Sequence, residues 1–205
     1  MQCVDDAATQ ELVARAARQD RAAIEQLLVR HLPGLEAFVR LRLGAALRAR
    51  LQVPDLVQSV CREVLEDLTG FEFRGEAPFK HWLFVRAENK LREKHRYHAA
   101  DRRHRDHEVP LPDGSTFLPA YAQICSPSRD CAVQEAVVRF ESAFDLLPAD
   151  HQEAITLHKL VGLSHAEIAA RMGRSEGAVR NLVYRGISRL ALLVDQGGGD
   201  TTVRD

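Results

Sequence analysis

The stretch that most constrains the fold is "LSHAEIAARMGRSEGAVRNLVYRGISRL", residues 163–190. Ser164 followed three residues later by Glu167 is a capping-box pattern, so a helix starts there. Ile168, Ala169 and Met172 fall on its inner side. Gly173 supplies a tight turn, where a positive φ is expected, and Ser175 caps the next helix. On that second helix Val179, Leu182, Val183, Gly186, Ile187 and Leu190 share one face. Gly177, Asn181, Tyr184 and Ser188 share the opposite face, flanked by Glu176, Arg180 and Arg185. The small Ala169, the turn Gly173 and the apolar Val179 are the positions of a DNA-reading helix-turn-helix. Two glycines interrupt the second helix, where each costs roughly 1 kcal/mol relative to Ala in a helix interior. Gly186 lies on the packing face and allows close helix contact. Gly177 lies on the outward face, where it either leaves the backbone free to approach DNA or is simply cheap in a first turn.

The rest of the 205 residues agrees with an all-α chain. Leu, Ala, Arg and Glu dominate and β-branched runs are scarce. No apolar run approaches the ~18 residues of a membrane span. The opening "MQCVDDAATQ" is acidic and polar, unlike a signal peptide, so the cytoplasm is the expected location. The net charge of −1 hides an asymmetry. Residues 80–105 carry nine Lys/Arg against three Asp/Glu, whereas residues 106–160 carry three against nine. A basic block in a neutral chain points to a polyanionic partner, with a solvated helix face as the plainer reading. Cys3, Cys61, Cys125 and Cys131 form no C-x-x-C pair and read as reduced thiols. A zinc site from His104, His107, Cys125 and Cys131 would match no standard ligand spacing. No nucleophile–base pattern, phosphate loop or metal set is present. Pairs such as Glu63 and Asp67 read as surface helix charges, so neither a cofactor nor an enzymatic activity is expected.

Along the chain, residues 9–31 are helix-patterned, with Leu12, Ala16, Ile24, Leu27 and Leu28 as inward positions. Pro33-Gly34 is expected to break that run, and "LEAFVRLRLGAALRARL" to continue as helix with an interruption at Gly44. "VPDLVQSVCREVLEDL" places Pro54 at a helix start and Asp55 in the first turn, where a carboxylate suits the helix dipole. "FEFRGEAP" is a loop, and "FKHWLFVRAENKLREKHRYH" restarts helix. Residues 101–130 contain Pro110, Pro112, Pro119 and Pro127 without sustained periodicity and read as a connector. Helix resumes at 131–146 and stops at Leu147-Pro148, and a short helix over roughly 150–160 is closed by Gly162. The expected organisation is two small helical domains, 9–100 and 131–194, joined by a flexible linker over 101–130, with a flexible tail at 195–205.

With these segments in order, the chain resembles the extracytoplasmic-function sigma factors, the small two-domain members of the bacterial RNA polymerase sigma family. "DLVQSVCREVL" looks like the family's core-binding helix. "FRGEAPFKHWLFVRAENKLREKHR" looks like its promoter-melting and minus-ten segment, and "LPADHQEAITLHKLVGLSHAEIAARMGRSEGAVRNLVYRGISRL" like its minus-35 domain. The resemblance implies a subunit that binds core polymerase and directs it to promoters. The implied partners are bacterial core RNA polymerase, through its β′ clamp helices and β flap, promoter DNA and, as for many members, an anti-sigma factor. No membrane partner is implied.

Residue roles follow from the same resemblance. Asp55, Leu56, Val57 and Gln58 match the core-binding segment. Asp55 and Gln58, three apart, share a helix face while Leu56 points inward; a plain helix cap is the other reading of Asp55. Arg74, Gly75, Glu76 and Phe79 match the loop that holds a base flipped from the minus-ten strand, an extraction costing a few kcal/mol of stacking. Trp82 lies in the same segment, but its packing side and neighbours suggest core. Asn89, Lys90, Arg92, Lys94 and Arg96 follow on that helix with amide and basic groups suited to a single strand. Arg174, Ser175, Glu176, Gly177, Arg180, Asn181 and Arg185 match the recognition helix for the minus-35 element. Arginine pairs with guanine, asparagine with adenine, and glutamate accepts from cytosine. The chain departs from the family in "LRLGAALRARLQVP", which is longer and richer in arginine. The linker of ~30 residues reaches about 100 Å when extended, enough to bridge two promoter elements. A stand-alone helix-turn-helix regulator is the competing reading, and "DLVQ" with the basic aromatic segment argues against it.

Overall fold

Helix α1 (Arg21–Arg48) begins where Asp20 caps it, its carboxylate accepting from the Ala22 and Ala23 N–H groups. The computed structural model describes residues 11–67, 71, 75–100 and 131–196, with only the backbone described for 98–100 and 131–134. Residues 11–17 are helical, and Gln19 then turns the chain with φ 62°. The helix expected over 9–31 is therefore broken before Asp20. The expected break at Pro33-Gly34 is absent, because α1 continues through Pro33. A proline inside a helix costs roughly 3 kcal/mol. Buried Ile24, Leu27 and Leu28 before it, and Leu35, Phe38, Val39 and Leu41 after it, offset that cost. The interruption comes instead at Gly44, whose φ of 68° kinks α1.

Helix α2 (Val53–Glu66) carries Pro54 at its start and Asp55 in its first turn, and buries Val53, Leu56, Val57, Val60 and Val64. Helix α3 (Glu76–Ala100) buries Phe79, Leu83, Phe84, Ala87 and Leu91. The rings of Phe38 and Phe84 meet edge to face at 5.1 Å, joining α1 to α3 at the centre of this bundle.

Helix α4 (Cys131–Asp145) ends in carbonyls satisfied by one side chain. Gln152 Nε2 donates to the carbonyls of Phe144 at 2.9 Å and Leu147 at 3.0 Å. That cap turns the chain at Pro148 into α5 (Ala149–Thr156), which runs on as a π turn, Leu157–Val161. Gly162 closes it with φ 90°. Helices α6 (His165–Met172) and α7 (Glu176–Gln196) complete the second group. Its core holds Phe144, Ile155, Leu160, Ile168, Val179 and Leu190.

Among the described residues the chain is all helical, as expected, in two helical domains. No helix there is long and apolar enough to cross a membrane, and no three His, Cys, Asp or Glu side chains converge as metal ligands. The linker over 101–130, the tail beyond 196, and Cys3, His104, His107 and Cys125 lie outside the described residues, as does the side chain of Cys131.

Candidate functional site

The helix-turn-helix is built by local chemistry. Ser164 Oγ accepts the Glu167 N–H, and Glu167 returns a bond to the Ser164 N–H at 2.8 Å. The Ser164 hydroxyl also donates to that carboxylate at 2.7 Å, and this bond, then the one from the Ser164 N–H, holds the Glu167 carboxyl below its ordinary range. Gly173 takes φ 65°, and the Arg174 N–H closes the turn on the Ala169 carbonyl at 3.0 Å. Ser175 Oγ accepts the Ala178 N–H at 3.2 Å and caps α7. Val179 is fully buried against the preceding helix. The expected cap, turn and packing positions are thus all present.

Glu176, Gly177, Arg180, Asn181 and Arg185 are exposed on the outward face of α7. Arg180 bonds Glu176 at 2.9 Å, an i,i+4 pair that presets both side chains. Arg174 pairs with Asp150. Nothing lies within 4 Å of where a Cβ on Gly177 would stand. Tyr184, 72% exposed, extends this face with an aromatic ring.

A second surface lies between α1 and α2. Asp55 and Gln58 are exposed at the rim of a groove of about 630 Å³, with Val29, Leu32 and Val57 in its wall. Glu25 and Glu36 add carboxylates to that rim. Burial raises the pKa of Glu36, opposed by the charge of Arg40, and burial raises that of the Cys61 thiol. An apolar floor with an acidic rim suits a partner helix that carries basic residues. Leu56 and Val57 are 6% and 4% exposed, Val57 in the groove wall and Leu56 in the core behind it, so neither presents itself fully to a partner.

The third surface follows α3. Asn89, Arg92, His95 and Arg96 line a shallow recess, with Asn89, Arg92 and Arg96 exposed. Lys94 is half-buried beside them. Lys90 is tied to Glu63 of α2 rather than turned outward. Phe79, expected beside a flipped base, is fully buried instead. Its ring packs near His31, Phe71 and Trp82, because the apolar period of α3 turns that position inward. Trp82 is half-buried, stacked on Phe71 at 4.4 Å, with the Arg86 guanidinium over its ring at 5.4 Å. Glu76, in the first turn of α3, faces Arg30 at 3.5 Å and the Nε2 of His31 at 3.3 Å. Arg74 lies outside the described residues.

Residues 138–190, which contain the helix-turn-helix, match the family model "Sigma-70, region 4". Over 179 residues the chain is 30% identical to the ECF RNA polymerase sigma factor SigD of Mycobacterium tuberculosis, a match spanning 87% of this chain and 80% of that protein. It is 30% identical over 178 residues to the ECF RNA polymerase sigma-E factor of Escherichia coli, spanning 86% and 88%. The chain belongs to the ECF sigma factors. Its fold agrees with that of CnrH, solved in complex with the cytosolic domain of CnrY, at a TM-score of 0.57 and 26% identity over 92% of this chain and 98% of that one.

As an ECF sigma factor, the chain is the subunit that directs RNA polymerase to promoters. Sequence reasoning passes over one group beside its third surface. Glu88, 4% exposed on α3, accepts from Arg42 at 3.1 Å and from Arg92 at 2.8 Å, and also pairs with Arg171. The i,i+4 spacing of Glu88 and Arg92 is visible in the sequence. Two of its partners come from other helices and are not.

Proposed function

We propose that this sigma factor engages polymerase and promoter through the three surfaces in a fixed division of labour. Asp55 and Gln58, with the acidic-rimmed groove behind them, dock core polymerase. The face of α3 carrying Asn89, Arg92, Lys94 and Arg96, with Arg74, Gly75 and Glu76 at its N-terminal side in the sequence, holds the melted minus-ten strand. Phe79 and Trp82, with Phe71 against them, brace the first turns of α3. The outward face of α7, with Arg174, Ser175, Glu176, Gly177, Arg180, Asn181 and Arg185, reads the minus-35 duplex. Residues 9–100 and 131–194 are the two working domains and 101–130 is the linker. Two modest DNA contacts on one tethered enzyme then give high avidity.

The observation that carries this reading is the exposure of polar groups at all three matched segments while their apolar neighbours are buried. The subunit acts in the cytoplasm, performs no catalysis of its own and leaves the chemistry to the polymerase. A regulatory partner that binds the factor itself is part of the proposal, by likeness to CnrH bound to the cytosolic domain of CnrY. Competition for core polymerase tests the whole. The purified chain should displace a labelled sigma factor from core, and a stand-alone regulator would leave it bound.

A further inference from the structure

The arginine-rich half of α1, where the chain departs from its family pattern, serves none of the three surfaces. Arg40 donates through Nε to Glu141 of α4. Arg48 approaches the other oxygen of Glu141 at 3.4 Å and pairs with Asp145. Its guanidinium also donates to the Arg40 carbonyl at 2.7 Å, which fixes the two arginines together. A second bridge lies beyond them, where Glu88 of α3 takes Arg42 on one oxygen and Arg171 of α6 on the other. Each bridge joins the first helical group to the second. Glu141 and Glu88 are only 5% and 4% exposed, so the charges sit in the contact itself.

Burial makes such pairs cooperative. Losing one partner strands a buried charge, whereas separating the whole contact rehydrates every member at once. The contact therefore behaves as a two-position element, closed or open. The closed position does not fit a promoter. Elements near −35 and −10 lie ~25 base pairs apart, about 85 Å along B-form DNA. Arg171 lies five residues before the start of α7, and Glu88 adjoins Asn89 on the minus-ten face. Helix α7 itself spans only about 32 Å at ~1.5 Å per residue. With Arg171 on Glu88, the two reading faces cannot reach both elements. Arg92, one of the proposed strand contacts, shares the Glu88 carboxylate through an i,i+4 pair within α3 that is independent of the closure.

We propose that Arg40, Arg48, Glu141 and Asp145, with Glu88 and Arg171, form an electrostatic latch that keeps this sigma factor closed, and that binding both promoter elements requires the latch to open. This rests on the promoter-reading assignment for its consequence, but not for its existence.

Small-angle scattering of the full chain tests the latch without polymerase or DNA. The wild type should show a radius of gyration near the ~17 Å of a compact chain of this length. Arg40→Glu with Arg48→Glu should enlarge it by several ångströms, with the helical circular-dichroism signal retained. Adding Glu141→Arg and Asp145→Arg should restore the compact value. If the arginine variant loses helix, Glu141→Gln with Asp145→Asn opens the same contact from α4 and carries the test. An equal radius for wild type and folded variant, or no recovery on charge exchange, overturns the latch. In the second arm, the opened variant with core should form complexes on a two-element promoter severalfold more readily than wild type. No gain despite an enlarged radius overturns the promoter consequence. Failure of every variant and of wild type to direct core to any promoter would instead count against the promoter-reading assignment.

Discussion

Gly186 of α7 lies so close to Ile155 of α5 that a Cβ on it would stand 2.8 Å from the Ile155 Cδ1, and 3.0 Å from the His151 Cβ. The close crossing seats α7 on the domain, so its reading face depends on a missing methyl. Gly186→Ala should destabilise the protein by about 1–3 kcal/mol through overpacking, despite the better helix propensity of alanine. Urea unfolding of both proteins measures this, and an unchanged midpoint would mean the contact yields.

Gly177, on the same helix, has the opposite surroundings. Open space around it means that Gly177→Leu should leave the melting temperature unchanged or slightly raised. The leucine would project from the face assigned to DNA, so promoter binding should fall. Loss of stability with unaltered promoter binding would remove Gly177 from that face.

Asp55 and Gln58 are exposed and support no core packing. Asp55→Ala with Gln58→Ala should lower affinity for core polymerase roughly tenfold or more, the loss of one or two charge-assisted contacts. Circular dichroism should be unchanged. Titration of labelled protein with core reads the affinity, and equal affinity would rule out this docking site.

Arg180→Ala should lower transcription from minus-35-dependent promoters by about tenfold to a hundredfold, the ~1–3 kcal/mol of one bidentate base contact. Its pair with Glu176 is exposed and contributes little to stability. Core affinity should be untouched. An equal loss in both measurements would move Arg180 out of the DNA interface.

The protein should lose stability as pH falls from about 6.5 towards 4. Burial, then the charges of Lys80 and Arg30, push the His31 pKa from its ordinary 6.5 down to about 4. Its Nε2 is buried without a hydrogen bond, although a Glu76 carboxylate oxygen stands 3.3 Å away. The unfolded chain therefore binds the extra proton in this window, and folding is weakened as pH falls through it. The loss between pH 7 and pH 5 should be on the order of 1 kcal/mol once partial solvent access is allowed for. Denaturant unfolding of wild type and His31→Phe at both values checks it. The variant should show a shallower pH dependence, and an equal slope would clear His31 of the effect.

The contrast between these residues shows what the sequence reveals. Ser164, Glu167, Gly173 and Ser175 are legible because caps and turns are settled within four residues. Val179 and Gly186 follow from helical period alone. Pro33-Gly34 misleads because its local cost is overridden by packing on both sides, which no local rule reports. Phe79 matches a base-holding position by resemblance, yet it also opens the helical run "FKHWLF" at an apolar position, and there it is buried. Glu88 joins Arg42 and Arg171, 46 and 83 residues away, so its role appears only once the helices are assembled. The arginines of α1 look like a departure from pattern until Glu141 and Asp145 are placed opposite them.

The most direct measurement is run-off transcription by core polymerase on a library of genomic fragments, with and without this protein. The account predicts discrete new transcripts whose upstream sequences share two elements at a fixed spacing, with Arg180→Ala and Asp55→Ala/Gln58→Ala each depleting them. A transcript pattern identical to that of core alone would contradict it.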